Sequence, residues 1–171
     1  ETVFILPNNK NIIMAAEMAV PLCIEKKLVV IPTKTIPQGM SAMLAFNEEQ
    51  DTAQNVQNML DGVASVKTGQ VTFAVRDSEI DDRKIKKGEI LALLENKVTF
   101  VEKNVERAVL KLLSSMVTEE SSFITVFYGR DVTNKDAQNA KQAIEKRFGK
   151  QVEINLIDGG QPVYYYILSV E

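Results

Sequence analysis

The feature that most restricts the fold is a strand–helix–strand–helix alternation at the amino end. Thr2–Leu6 and Leu28–Ile31 are short β-branched and aliphatic runs, each closed by a polar proline turn, Pro7-Asn8-Asn9 and Pro32-Thr33. Between them, Asn11–Leu22 is helix-forming and apolar almost all round (Ile12, Ile13, Met14, Ala15, Ala16, Met18, Ala19, Val20). Two strands joined through a helix return side by side by a crossover. The pattern therefore predicts a βαβ unit with a parallel pair and a right-handed connection. A helix with so little polar surface is expected to be covered on more than one side. Pro37 suits the first turn of a second helix, running to about Phe46.

Further along, the periodicity changes twice. Glu49–Ala64 carries Ala53, Val56, Met59, Leu60, Val63 and Ala64 on one face at helical spacing. Val66–Arg76 and Glu89–Val101 then alternate like strands, joined by a polar segment containing Gly88, with Glu95-Asn96-Lys97 as a tight turn. These are expected as antiparallel strands at a sheet edge or between two subdomains. Val105–Met116 returns to a helix with one apolar stripe (Val105, Ala108, Val109, Leu112, Leu113, Met116) and Asn104 as N-cap. Phe123–Tyr128 reads as a strand. Thr133 with Asp136 forms a capping box for a helix reaching Phe148, which Gly149 ends. Val152–Ile157 alternates, Gly159-Gly160-Gln161-Pro162 turns, and Val163–Val170 is the last strand, with Tyr164 and Tyr166 on one face and Tyr165 on the other. The expected organisation is α/β: residues 1–66 as βαβα, 67–103 as antiparallel strands, and 104–171 as αβαββ. Strand, polar turn and helix occur in the same order at Thr2–Leu22 and at Phe123–Phe148.

Composition excludes more than it asserts. The 171 residues, 45% hydrophobic, suit one domain or two small subdomains. A net charge of −3 and no broad basic face argue against nucleic acid as a partner. Histidine is absent, which removes the usual general base near neutral pH, the Ser-His and Cys-His pairs and most zinc sites. Cys23 is alone, so no internal disulfide forms, and a lone thiol fits a reducing compartment such as the cytoplasm. No apolar run approaches the roughly 20 residues of a membrane span. The chain opens Glu1-Thr2-Val3-Phe4 without an initiator Met, as expected of a piece of a longer protein. There is no Gly-rich phosphate loop and no cluster of aspartates. No catalytic residue and no metal ligand is therefore assigned.

The candidate binding residues lie in two polar turns that follow the first two strands. In an open parallel sheet the carboxyl ends of strands are where ligands bind, and each turn leads into a helix N-terminus, which favours an anion. Asn8, Asn9 and Lys10 form the first turn; Thr33, Lys34, Thr35 and Gln38 form the second. Together they suit a phosphate, a carboxylate or an acidic patch on a partner. Equally, Asn and Thr serve there as helix caps and the lysines as solvated charges. Arg76 and Arg130, each just after a strand, are further candidates for a charged partner; Arg76 is alternatively paired with Asp77 or Asp81. Short charged blocks such as Asp81-Asp82-Arg83-Lys84 read as solvated turns. Tyr164-Tyr165-Tyr166 offers aromatic anchors of the kind found at interfaces.

Several stretches carry a family resemblance: Leu6-Pro7-Asn8-Asn9-Lys10-Asn11-Ile12, Ile31-Pro32-Thr33-Lys34-Thr35-Ile36-Pro37-Gln38-Gly39, Val71-Thr72-Phe73-Ala74-Val75-Arg76-Asp77, Ile85-Lys86-Lys87-Gly88-Glu89 and Gly159-Gly160-Gln161-Pro162-Val163-Tyr164. Spread in order over the chain, they resemble the carboxy-terminal region of the catalytic component of bacterial fatty acid kinase, a relative of the dihydroxyacetone kinases. The resemblance implies a DegV-like fold. It implies that ATP and Mg²⁺ bind an amino-terminal kinase domain of the same chain, with no cofactor in this region. It further implies a middle domain that contributes to a homodimer, and a partner, a fatty-acid-binding DegV-type carrier, whose bound fatty acid becomes an acyl phosphate. A glycerone-type kinase domain, or a module sensing a small anion or lipid, is the alternative.

Overall fold

The computed structural model describes residues 1–80 and 83–171. The chain divides into two compact units, Glu1–Val66 and Lys67–Glu171.

In the first unit, β1 (Thr2–Ile5) and β2 (Lys27–Val30) pair in parallel, with Thr2 opposite Lys27 and Ile5 opposite Val30. The connection is α1 (Lys10–Ala19), followed by a 3-10 turn at Val20–Leu22. Pro21 accounts for the change of helix type, since it lacks the N–H that would continue the α-ladder. Beyond β2 come α2 (Ile36–Leu44) and α3 (Thr52–Ser65). Strand alternation sends Phe4, Leu6, Val29 and Ile31 to one face, where they join Ala42, Val56, Met59, Leu60 and Val63 in a small core. Asn55, 2% exposed, ties down the loop before α3. Its amide donates to the carbonyls of Asn47 (2.8 Å), Gln50 (3.0 Å) and Asp51 (3.1 Å).

The expectation for α1 needs correction. None of its residues is buried; Met14 is 70% and Met18 67% exposed, and Leu22 and Ile24 just beyond stand out at 81% and 94%. Its apolar circumference reflects one face laid against the unit and another left in solvent.

The second unit is a six-stranded sheet in the order β7-β6-β3-β10-β8-β9. The strands are β3 (Lys67–Phe73), β6 (Ile90–Leu94), β7 (Lys97–Glu102), β8 (Phe123–Tyr128), β9 (Glu153–Asp158) and β10 (Tyr166–Val170). A small hairpin, β4 (Ser78–Ile80) with β5 (Arg83–Ile85), occupies the polar segment that the sequence pattern left without strands. Two helices, α4 (Val105–Met116) and α5 (Asn134–Phe148), complete the unit. The expected antiparallel strands form one edge of the sheet, β7-β6-β3. Their tight turn has positive φ at both Glu95 (48°) and Asn96 (63°), which matches the right-handed twist of a two-residue hairpin. β8 and β9 are parallel through α5, so each unit contains one βαβ element, the echo seen in the sequence.

The core lies between the sheet and the two helices. The α4 stripe contributes Ala108, Val109, Leu112, Leu113 and Met116, all fully buried, against Val71, Ala92, Ile124, Val126 and Leu168 from the sheet. Gly69 permits the close approach of α4 to β3: a Cβ there would fall 2.7 Å from Met116 Sδ and 2.9 Å from Leu112 Cδ2. The helix starts follow the sequence. Asn104 Oδ1 accepts from Arg107 N at 2.9 Å, and Thr133 Oγ1 accepts from Asp136 N at 3.2 Å while donating to the Asp136 carboxylate at 2.6 Å.

The last strand is shorter than expected. Val163 has φ 73°, and Tyr164 N donates to Pro162 O at 2.8 Å, a γ-turn that breaks the extended run. Thr72 Oγ1 clamps the turn by donating to Val163 O at 2.6 Å. Tyr166 alone of the three tyrosines is in the strand and fully in the core, while Tyr165 packs its ring 5.7 Å from that of Phe73.

Candidate functional site

The carboxyl ends of β1 and β2 bring seven of the nine candidate residues together. Asn8 takes a left-handed backbone (φ 54°), which Asn tolerates better than most residues, and its N–H donates to Thr33 Oγ1 at 2.9 Å. Asn9 caps α1, its Oδ1 accepting from Asn11 N at 2.9 Å. Thr35 caps α2, accepting from Gln38 N at 3.3 Å, and Gln38 Oε1 accepts from Lys34 N at 2.8 Å. Thr33, Thr35 and Gln38 are buried, whereas Lys10 and Lys34 are exposed at the rim. Gly39 leaves room for Asn8, since a Cβ on residue 39 would collide with Asn8 Oδ1. These polar groups are spent largely on one another and on the caps, so the turn acts as a brace joining β1, β2 and α2.

One atom of the brace stands apart. Asn8 Oδ1 is buried and accepts no hydrogen bond from the described residues. A carbonyl oxygen needs a donor, so this position suits an N–H or O–H group better than an anion.

Arg76 and Arg130 belong to the second unit. β3 and β8 each pair antiparallel with β10 and so run the same way, which puts both exposed arginines at one end of the sheet. Arg130 N donates to Gln161 O at 3.1 Å. Asp77, a proposed partner of Arg76, instead accepts from Lys87 N at 2.7 Å. The other, Asp81, lies outside the described residues, as does Asp82 of the charged block.

Other features carry no signal in local sequence patterns. The exposed apolar side chains concentrate in the first unit: besides those of α1, Met40 (43%), Met43 (64%), Leu44 (84%) and Phe46 (44%) stand out on and after α2. Phe46 makes an edge contact with Phe4, ring centres 5.7 Å apart. In the second unit, Glu102 at the end of β7 bonds Lys111 Nζ at 2.8 Å and lies 3.5 Å from Arg107 Nε. The Lys111 hydrogen bond, outweighing desolvation, holds its carboxyl below the usual range. Among the described residues no group of three or more His, Cys, Asp and Glu side chains is gathered to hold a metal ion.

Tyr166 is the most perturbed of the tyrosines. Burial, with the carboxylates of Asp136 and Glu106 adding to it, pushes its phenol up to about 12. Burial and Asp158 also raise Tyr128. A phenol whose folded pKa exceeds its unfolded value stabilises the fold below the unfolded pKa, and that contribution is lost as pH rises from about 10 towards about 12. Absorbance at 295 nm is expected to show a tyrosine ionising near pH 12, absent from Tyr166→Phe. Loss of all tyrosine signal change by pH 11 in the intact folded chain contradicts that environment.

Taken together, the parallel pair with its capped polar turns and the mixed sheet backed by α4 and α5 define an α/β chain of DegV type. Solved structures share this fold at low identity. The fatty acid kinase B3 protein of Streptococcus pneumoniae, loaded with linoleic acid, superposes with a TM-score of 0.66 at 11% identity, over 98% of this chain and 70% of that one. A DegV family protein of Ruminococcus gnavus gives 0.61 at 11% identity, over 100% and 72%. The dihydroxyacetone kinase of C. freundii gives 0.60 at 13% identity, over 98% and 38%.

Sequence narrows the class further. Residues 1–171 match the FakA-like carboxy-terminal family of fatty acid kinases, and the chain belongs to that family. It is 43% identical over 171 residues to Protein YloV of Bacillus subtilis, covering 100% of this chain and 31% of that protein. It is 42% identical over 167 residues to an uncharacterized protein of Staphylococcus epidermidis, covering 98% and 30%. The chain thus spans about a third of the length of these curated relatives.

Proposed function

We propose that this region is the docking module of a two-protein fatty acid kinase. It receives a fatty-acid-loaded DegV-type carrier, so that an ATP- and Mg²⁺-binding kinase domain elsewhere in the full-length protein converts the bound acid to an acyl phosphate. Family membership and the fold of a linoleic-acid-loaded fatty acid kinase B3 protein support the context. The observation that carries docking is the set of exposed apolar side chains of the first unit, Met14 and Met18 on α1 and Met40, Met43 and Leu44 on α2. Large exposed apolar surface marks protein contact sites, and unbranched methionines adapt to partners that are not identical. An anion-sensing role has less support, because the one buried side-chain atom of the polar turns without a partner among the described residues is an acceptor. A glycerone-type enzyme needs carboxylates placed to share a metal ion, and among the described residues no group of three or more metal-ligating side chains is so placed.

Calorimetric titration of this chain with a fatty-acid-loaded carrier is expected to give saturable binding. The pair Met14→Asp and Met18→Asp is expected to weaken it about tenfold or more, equal to roughly 1.4 kcal/mol. Both side chains are exposed, so the fold is retained. Absence of binding by the unaltered chain at concentrations on the order of hundreds of micromolar removes the docking role. Undiminished binding by the variant moves the docking surface elsewhere.

A further inference from the structure

The six methionines divide sharply by exposure. Met59 (2%) and Met116 (0%) are held in the cores of the first and second units. Met14, Met18, Met40 and Met43 stand out in solvent, all of them in the first unit. Met14 and Met18 are four residues apart on α1, and Met40 and Met43 three apart on α2, so each pair shares a helix face. Methionine is among the residues most often fully buried, so two exposed pairs in one small unit call for an explanation.

Chemistry separates these four side chains from the other exposed apolar ones. Leu22, Ile24 and Leu44 are hydrocarbons, whereas a thioether reacts with peroxide. A lone pair on sulfur attacks one oxygen of hydrogen peroxide, the O–O bond breaks, and proton transfer to the departing oxygen releases water. Sulfur is oxidised by two electrons and the peroxide is reduced by the same two. The sulfoxide is polar and accepts hydrogen bonds, so an apolar partner covering it leaves an oxygen unpaired. Neither α1 nor α2 counts any of the four among its buried residues, so their oxidation leaves both cores as they are.

We propose that Met14, Met18, Met40 and Met43 are a peroxide-modification site, and that their conversion to sulfoxides closes the first unit to an apolar partner without unfolding it. The selective oxidation stands on exposure alone; its effect on binding rests on the carrier-docking reading.

The test treats the whole folded chain with hydrogen peroxide and then with a thiol reductant, which restores a sulfenic acid or disulfide at Cys23 but leaves methionine sulfoxide in place. Peptide mapping by mass spectrometry is expected to find one added oxygen at each of the four, with Met59 and Met116 oxidised about tenfold more slowly or less. Calorimetric titration with a fatty-acid-loaded carrier is expected to show affinity about tenfold weaker after oxidation, restored by the two sulfoxide reductases that act on the two epimers. The fourfold variant Met14→Leu, Met18→Leu, Met40→Leu and Met43→Leu keeps Cys23 and an apolar surface of similar volume, and is expected to bind after peroxide as it does before. Oxidation of Met59 or Met116 as fast as the exposed four overturns the site. Where the untreated chain binds, equal affinity after oxidation overturns the closure, as does a loss that the reductases do not reverse or that the leucine variant shares. Where the untreated chain does not bind, it is the docking reading that falls, and the peptide map alone decides the modification site. Should the leucine variant fail to fold, recovery of affinity with the reductases decides the closure.

Discussion

Leu112→Ala is expected to destabilise the second unit by roughly 4 kcal/mol, in the upper part of the range for leucine truncation in a core. Leu112 is fully buried, and its Cδ2 lies where a Cβ on Gly69 would be 2.9 Å away, hard against the backbone of β3. A strand held in a six-stranded sheet collapses poorly into the vacated space, so both the transfer and cavity contributions are felt. The readout comes built in: all four tyrosines (Tyr128, Tyr164, Tyr165, Tyr166) lie in the second unit and tryptophan is absent, so tyrosine fluorescence during urea unfolding reports that unit alone. A loss under about 1 kcal/mol is inconsistent with the close approach of α4 to the sheet.

Gly129→Ala is expected to be nearly as costly, about 3 kcal/mol, for a different reason. An added Cβ would collide with Tyr164 O and stand 2.7 Å from Gln161 O, and both are backbone atoms. They yield only if the turn moves, which breaks Gly129 N to Tyr165 O (2.9 Å) and Arg130 N to Gln161 O (3.1 Å). The strained Val163 sits in the same turn, so strain is already present there. The same urea titration reads the loss; a variant as stable as the parent shows that the turn is looser than described.

Much of the fold was legible because local chemistry and tertiary packing agree. The stripe of α4, the caps Asn104 and Thr133, the turn at Glu95-Asn96 and the parallel pair of the first unit each follow from period, cap or turn chemistry. Three features were not legible. The β4–β5 hairpin is polar and lacks an apolar period. Val163 is a strand former forced into a positive φ by the loop around it, so propensity alone extends the last strand too far. The exposure of α1 defeats pattern reading altogether, because an apolar residue at an interface and one in a core look the same in sequence. Among the candidate binding residues, Asn9 and Thr35 take the capping role that sequence allowed as one option.

That order has a consequence for synthesis. Tyr166–Val170 lies between β3 and β8, with Val170 opposite both Lys67 and Ile124. Until those five residues leave the ribosome, the nascent chain holds a β7-β6-β3 sheet and a β8-β9 pair whose facing edges have no partner. The second unit therefore closes only once this strand is available, and the emerging polypeptide must keep two sticky edges apart until Tyr166–Val170 slides between them.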